Sequence, residues 1–151
     1  MHSESERDNN MTEMTYRNLG DSGLRVSKIG IGCNNFGMRI DAAATERVVG
    51  AALDHGITLF DTSDSYGDSE IFLGKALGSR RNETVIATKF GSDLCGANGP
   101  DWGSRGSRRY IRKAVERSLT RLNTDYIDLY QIHMPDPSTP IEETLAALTE
   151  L

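Results

Sequence analysis

The sequence predicts an α/β fold whose sheet is parallel and joined by right-handed crossovers. Three observations carry this. Short apolar or β-branched runs recur four times, at 29–32, 57–60, 84–89 and 126–133. Each is followed by a stretch with helix signals or apolar residues at helical spacing. The connections are short, apart from one glycine-rich loop between Gly91 and Gly106. A doubly wound sheet and a (β/α)8 barrel both begin this way. Neither a G-x-G-x-x-G after the first run nor a GK[ST] loop is present, which counts against the standard dinucleotide and nucleotide folds.

Residues 1–13 are polar and read as a disordered tail, with order beginning near Met14. Tyr16 to Ser27, with Gly20-Asp21-Ser22-Gly23 at its centre, reads as a hairpin. Ile29-Gly30-Ile31-Gly32 is the first buried strand. Asp41 caps a helix over Ala42 to His55, with Val48, Ala51, Ala52 and His55 on one face and Gly56 as its stop. The run ending in Phe60 is the second strand. The next helix starts at Asp68 or Ser69, carries Leu73, Ala76 and Leu77, and ends at Gly78. Thr84 to Lys89 is the third strand. Ser107 caps a third helix with a stripe of Ile111, Ala114, Val115, Ser118, Leu119 and Leu122. Tyr126 to His133 is the fourth strand, ended by Pro135 and Pro137. Thr139-Pro140-Ile141-Glu142 has the pattern of a capping box with proline at the first helical position, and Ile141, Leu145 and Leu148 begin a fourth stripe.

Composition narrows the function. With 151 residues the chain suffices for one domain with a sizeable core, and 37% apolar with 26% charged residues fits a soluble globular protein. The net charge of −5, with no basic stripe, argues against nucleic acid. No run approaches the ~20 apolar residues of a membrane span, and Met1 to Asn10 lacks the apolar segment of a secretory signal. Cys33 and Cys95 have no CxxC spacing and read as reduced thiols of a cytoplasmic protein, so neither a disulfide nor a zinc site is expected.

The chemistry collects at one edge. Asp61 follows the second strand, Tyr66 lies five residues further on its loop, Lys89 ends the third strand and His133 ends the fourth. In a parallel α/β fold the C-terminal strand ends are where sites are built. Singly, each residue has a plainer role as a turn cap, a loop tyrosine or a solvated strand end. Together they form a proton-transfer set. An ammonium beside a phenol stabilises the phenolate, so Lys89, with Asp61 as counter-ion, would make Tyr66 a usable general acid. A neutral His133 would donate a hydrogen bond to a substrate carbonyl. Asp64, Asp68 and Glu70 read as loop and cap residues, although Asp61, Glu70 and His133 offer an alternative metal-binding set for a barrel hydrolase. No His-x-His pair supports that alternative. Trp102 reads as a packed loop anchor, and His55, at a helix end, has no assigned function.

These residues also carry a resemblance. The series Gly23-Leu24-Arg25-Val26-Ser27, Asp61-Thr62-Ser63 with Tyr66-Gly67 and Ser69-Glu70, Leu73-Gly74-Lys75-Ala76-Leu77 and Ala87-Thr88-Lys89 continues through Ser118-Leu119 with Arg121-Leu122. Asp125 to His133 and Pro140 to Leu145 complete it. In order and spacing, 14–151 resembles the N-terminal half of an aldo-keto reductase. The resemblance implies the N-terminal half of a (β/α)8 TIM barrel with an N-terminal β-hairpin that closes its bottom. It implies reduction of an aldehyde or ketone by a nicotinamide cofactor, NADPH in most members, with NADH as the alternative. Carried over, Tyr66 is the proton donor, Lys89 and Asp61 its ion pair, and His133 the group that orients the carbonyl. Gly32, Cys33 and Asn34, with Asp61, match a segment lying against the ribose and nicotinamide.

A whole barrel has eight strands and typically ~250 residues, whereas four barrel strands are counted here. The family's second half supplies most of the cofactor grip, so the chain is expected to be a truncated fragment, inactive alone, whose open edges could pair into an oligomer. Some relatives act chiefly as cofactor-binding partners of membrane channels, which makes a regulatory subunit the alternative to an enzyme. Otherwise the expected partner is a small carbonyl substrate.

Overall fold

A computed structural model describes residues 13–96 and 102–151. The expected tail therefore lies outside the described residues, apart from Glu13, as does the centre of the Gly91 to Gly106 loop. An antiparallel hairpin comes first, β1 (Tyr16–Asn18) with β2 (Arg25–Ser27). Then follow β3 (Gly30–Gly32), α1 (Ala42–Asp54), β4 (Leu59–Asp61), α2 (Ser69–Leu77), a 3-10 turn (Gly78–Glu83) and β5 (Val85–Phe90). The chain continues through α3 (Arg108–Leu122), β6 (Leu129–Ile132) and α4 (Ile141–Leu148).

The four later strands form one parallel sheet in chain order, β3-β4-β5-β6. Consecutive helices touch: α1 packs on α2, α2 on α3, and α3 on α4. A doubly wound sheet would divide its helices between two faces, so this unbroken row is that of a barrel wall. The hairpin docks at the N-terminal end of β4, where the Ser27 and Thr58 backbone N–H groups each donate to the other's hydroxyl, at 3.0 and 2.9 Å.

Side-chain alternation decides what faces what. Phe60 of β4 and Ile86, Thr88 and Phe90 of β5 are fully buried on the helix side. Two apolar clusters lie there. One joins Val49, Leu53, Phe60, Leu73, Leu77, Ile86 and Leu122, and the other joins Phe90, Tyr110, Ile111, Ala114 and Ala147. By the same alternation Asp61 and Lys89 share the opposite face.

Capping is mostly as expected. Asp41 accepts the Ala44 N–H at 2.8 Å, and Ser107 accepts the Tyr110 N–H. Several details differ. The buried stripe of α1 is Thr45, Val49, Ala52 and Leu53, while Val48 is exposed and His55 forms the exposed C-cap. This alanine-rich helix offers two stripes, and the one carrying Val49 and Leu53 removes more apolar surface from water. The third strand reaches Phe90. The fourth begins at Leu129, not Tyr126, because the Asp128 carboxylate takes the Ile86 N–H at 2.8 Å in place of a ladder bond. Arg81 holds that carboxylate at 2.8 Å and the Tyr126 carbonyl at 2.9 Å.

The capping box before α4 does not form. Pro140 is itself the N-cap with no side-chain bond, and the Thr139 hydroxyl donates to Asp136. The buried face of α4 is Thr144 and Ala147, with Leu148 of the expected stripe packed beside them and Ile141 and Leu145 exposed. Thr144 turns inward because its hydroxyl donates to the Gly106 carbonyl at 2.8 Å.

Candidate active site

Cross-strand bonds run on past the ends of the strands and fix the site's backbone. The Thr62 N–H donates to Ala87 at 2.8 Å, the Asp64 N–H to Lys89 at 3.2 Å and the His133 N–H to Phe90 at 2.8 Å. On this frame Lys89 Nζ pairs with the Asp61 carboxylate and donates to the Thr62 carbonyl at 2.8 Å. The Lys89 side chain is 14% exposed, against 41% for Asp61. The ammonium lies 5.1 Å from the centre of the Tyr66 ring. The His133 ring meets that of Tyr66 edge to face at 5.6 Å. All four strand-end residues singled out in the sequence are thus together, with the Tyr66 ring close to both the ammonium and the imidazole.

The segment after β3 borders the same edge. Cys33 donates its N–H to the Asp61 carbonyl at 2.8 Å and accepts the Ser69 hydroxyl at 2.7 Å. Its thiol is fully buried in the core, and burial, with the Asp61 carboxylate second, pushes it up to about 12. Gly32 and Asn34 on either side are exposed. Gly32 has no neighbouring atom within 4 Å of where a Cβ would stand, so its backbone is open to close approach.

The family model described as the Aldo/keto reductase family matches residues 28–151. The chain belongs to that family. It is 40% identical to the aldo-keto reductase YhdN of Bacillus subtilis, over 91% of this chain and 43% of the relative. It is also 40% identical to a protein of Arabidopsis thaliana named as a probable voltage-gated potassium channel subunit beta, over 89% of this chain and 42% of that protein. The solved aldo-keto reductase AKR11C1 from Bacillus halodurans, in its holo form, superposes with a TM-score of 0.80 at 42% identity, covering 91% of this chain and 46% of the other. This aldo-keto reductase chain therefore spans less than half the length of these relatives, and its four strands and helices are part of a TIM barrel.

Other residues at this aldo-keto reductase edge are not evident from sequence. Three hydroxyls surround Nδ1 of His133: Ser92 at 2.9 Å, Ser63 at 3.1 Å and Ser65 at 3.4 Å. Gly91, at φ +94°, brings Ser92 there, since a Cβ on it would lie 2.9 Å from the Met134 carbonyl. Below the loop, Glu70 is fully buried. It accepts the Thr88 hydroxyl at 2.6 Å and pairs with Arg121 at 3.3 Å. Asp64 is buried too, and burial with the nearby Glu70 charge pushes its carboxyl up to about 6. Both keep the expected loop and helix-start positions, Asp64 in the loop and Glu70 in the first turn of α2, but both are buried, and Arg121 reaches in from α3 to pair with Glu70. With Glu70 so engaged, the alternative metal set of Asp61, Glu70 and His133 does not assemble, and no other group of three such ligands occurs among the described residues. Trp102 packs edge-on against Tyr110 at 5.2 Å, as a loop anchor should. No helix among the described residues is long and apolar enough to cross a membrane.

Proposed function

We propose that this chain carries the proton-transfer half of a nicotinamide-dependent carbonyl reductase acting on an aldehyde or ketone. The observation behind this is the convergence of the Asp61–Lys89 pair, Tyr66 and His133 at one sheet edge. NADPH is the cofactor proposed, with NADH as the alternative. The open backbone at Gly32 and the exposed Asn34 fit a flat ring and ribose laid beside Asp61, while the Cys33 thiol faces the core and makes no such contact. When bound, the dihydronicotinamide supplies the hydride that reaches the carbonyl carbon.

The protein's own part is the proton. His133 donates a hydrogen bond to the carbonyl oxygen and holds it beside the Tyr66 hydroxyl. As negative charge grows on that oxygen, the phenolic O–H bond breaks, the proton passes to the oxygen and an alcohol results. The phenolate left behind is stabilised by the Lys89 ammonium. Asp61 and the Thr62 carbonyl keep that ammonium in place. Positioned general acids of this kind contribute roughly 10²–10⁴-fold to rate. Tyr66→Phe in the full-length protein is therefore expected to lower carbonyl-dependent NADPH oxidation at least about a hundredfold, with cofactor binding, read by fluorescence titration, largely retained. Undiminished turnover would overturn the assignment.

A second reading follows from the equal identity to the Arabidopsis channel-subunit relative: a cofactor-binding regulatory partner. It predicts tight cofactor binding with very slow turnover and a copurifying protein, and rapid turnover by the full-length protein removes it.

A further inference from the structure

We infer that Ser92, supported by Ser63, sets the tautomer of His133, placing the ring proton on Nε2 and leaving Nδ1 as an acceptor. The argument is an account of hydrogens. Ser63 Oγ accepts the Ser65 N–H at 3.2 Å, and its own proton has three acceptors in reach: Asp64 Oδ1 at 3.3 Å, Ser65 Oγ at 2.9 Å and His133 Nδ1 at 3.1 Å. Ser92 has no such choice. It is buried, and among the described residues its hydroxyl contacts one polar partner, His133 Nδ1, at 2.9 Å.

Were the proton on Nδ1, that N–H would donate to Ser92, and the Ser92 hydrogen would be buried without an acceptor. Such a group costs about 1–3 kcal/mol. With the proton on Nε2, Ser92 donates to Nδ1 and its buried hydrogen has a partner. No carboxylate among the described residues bonds to this ring, so nothing there demands a donor at Nδ1. Ser92 is thus a positioning residue acting through His133, and it leaves Nε2–H free to hold a carbonyl oxygen. The catalytic consequence rests on the reduction proposed above, whereas the tautomer itself does not.

The test is 15N spectroscopy of histidine-labelled full-length protein, at a pH where imidazole is neutral, with His133→Gln to assign the signals. The wild type is expected to show a bare Nδ1 and a protonated Nε2. Ser92→Ala should shift the population toward Nδ1–H and lower kcat on the order of tenfold, the worth of one neutral hydrogen bond, with the KM for cofactor unchanged. Ser92→Thr, which keeps the hydroxyl, should restore both. A wild-type ring protonated at Nδ1, or Ser92→Ala with wild-type shifts, would overturn the inference. If Tyr66→Phe retains full turnover while the shifts behave as expected, the reductase reading fails and the tautomer assignment stands.

Discussion

At the scale of single residues, the site combines one half-buried ion pair, Asp61–Lys89, with two buried carboxylates, Asp64 and Glu70. Asp64 shows what such burial costs. Its carboxyl rises from 3.8 to about 6, chiefly through burial and then through the Glu70 charge, against the weaker pull of Ser63, Arg121 and Arg117. The folded carboxyl binds its proton more tightly than the unfolded one. Stability therefore falls as pH rises from about 4 to about 6, and the full cost, about 3 kcal/mol, is present above that window. Asp64→Asn is expected to stabilise the protein by about 1–2 kcal/mol at pH 8, with the gain vanishing near pH 4. Urea denaturation at both pH values checks this, and a net loss at pH 8 would show that the buried charge is compensated. Asp61, Tyr66, Lys89 and His133 were legible in the sequence because ionisable or phenolic groups stand out at or just beyond the ends of apolar runs. Ser63, Ser65 and Ser92 were not, since a hydroxyl in a loop looks the same whether it faces water or an imidazole. The buried Glu70–Arg121 pair was hidden for a similar reason, because only the packing of α2 on α3 takes both residues out of water.

At the scale of elements, the order of strands and helices was legible from period alone, while faces and ends were not. The stripe of α3 was clear because its polar and apolar residues separate cleanly. The stripe of α1 was misread where alanines and a threonine left two faces of similar apolar content. That of α4 was misread in part, because the Thr144 hydroxyl bonded to Gly106 turns the helix so that Leu148 alone of the expected stripe packs on the core. The start of β6 was misread because a side chain, Asp128, substitutes for backbone in the ladder. The packing of α2 on α3 turns on Gly74, where an added Cβ would lie 2.3 Å from the Leu122 carbonyl oxygen. That obstacle is backbone at the end of a helix and cannot rotate away. Gly74→Ala, normally favourable inside a helix, is instead expected to destabilise by about 2–3 kcal/mol. Thermal denaturation would show it, and an unchanged or raised Tm would mean that the two helices can separate without loss.

At the scale of the whole molecule, the outer edges of β3 and β6 pair with no strand among the described residues, and Ile29, Met134, Ile141 and Leu145 are exposed apolar side chains. Unpaired strand edges beside apolar surface invite pairing with another chain. The 151-residue chain alone is expected to self-associate and to show no carbonyl-dependent NADPH turnover. Light scattering coupled to size exclusion, with the same assay, checks both points, and an active monomer with a cooperative unfolding transition would refute the expectation. The sheet also has a temporal aspect. Strand order in space equals strand order along the chain, so each strand joins an edge already laid down by the one before it. During synthesis from the N-terminus, β4 finds β3, and β5 finds β4, with no gap to be held open for a later insertion. The wall can lengthen at the pace of translation, and at each step from β3 to β5 the growing edge is the one that the next strand to emerge covers.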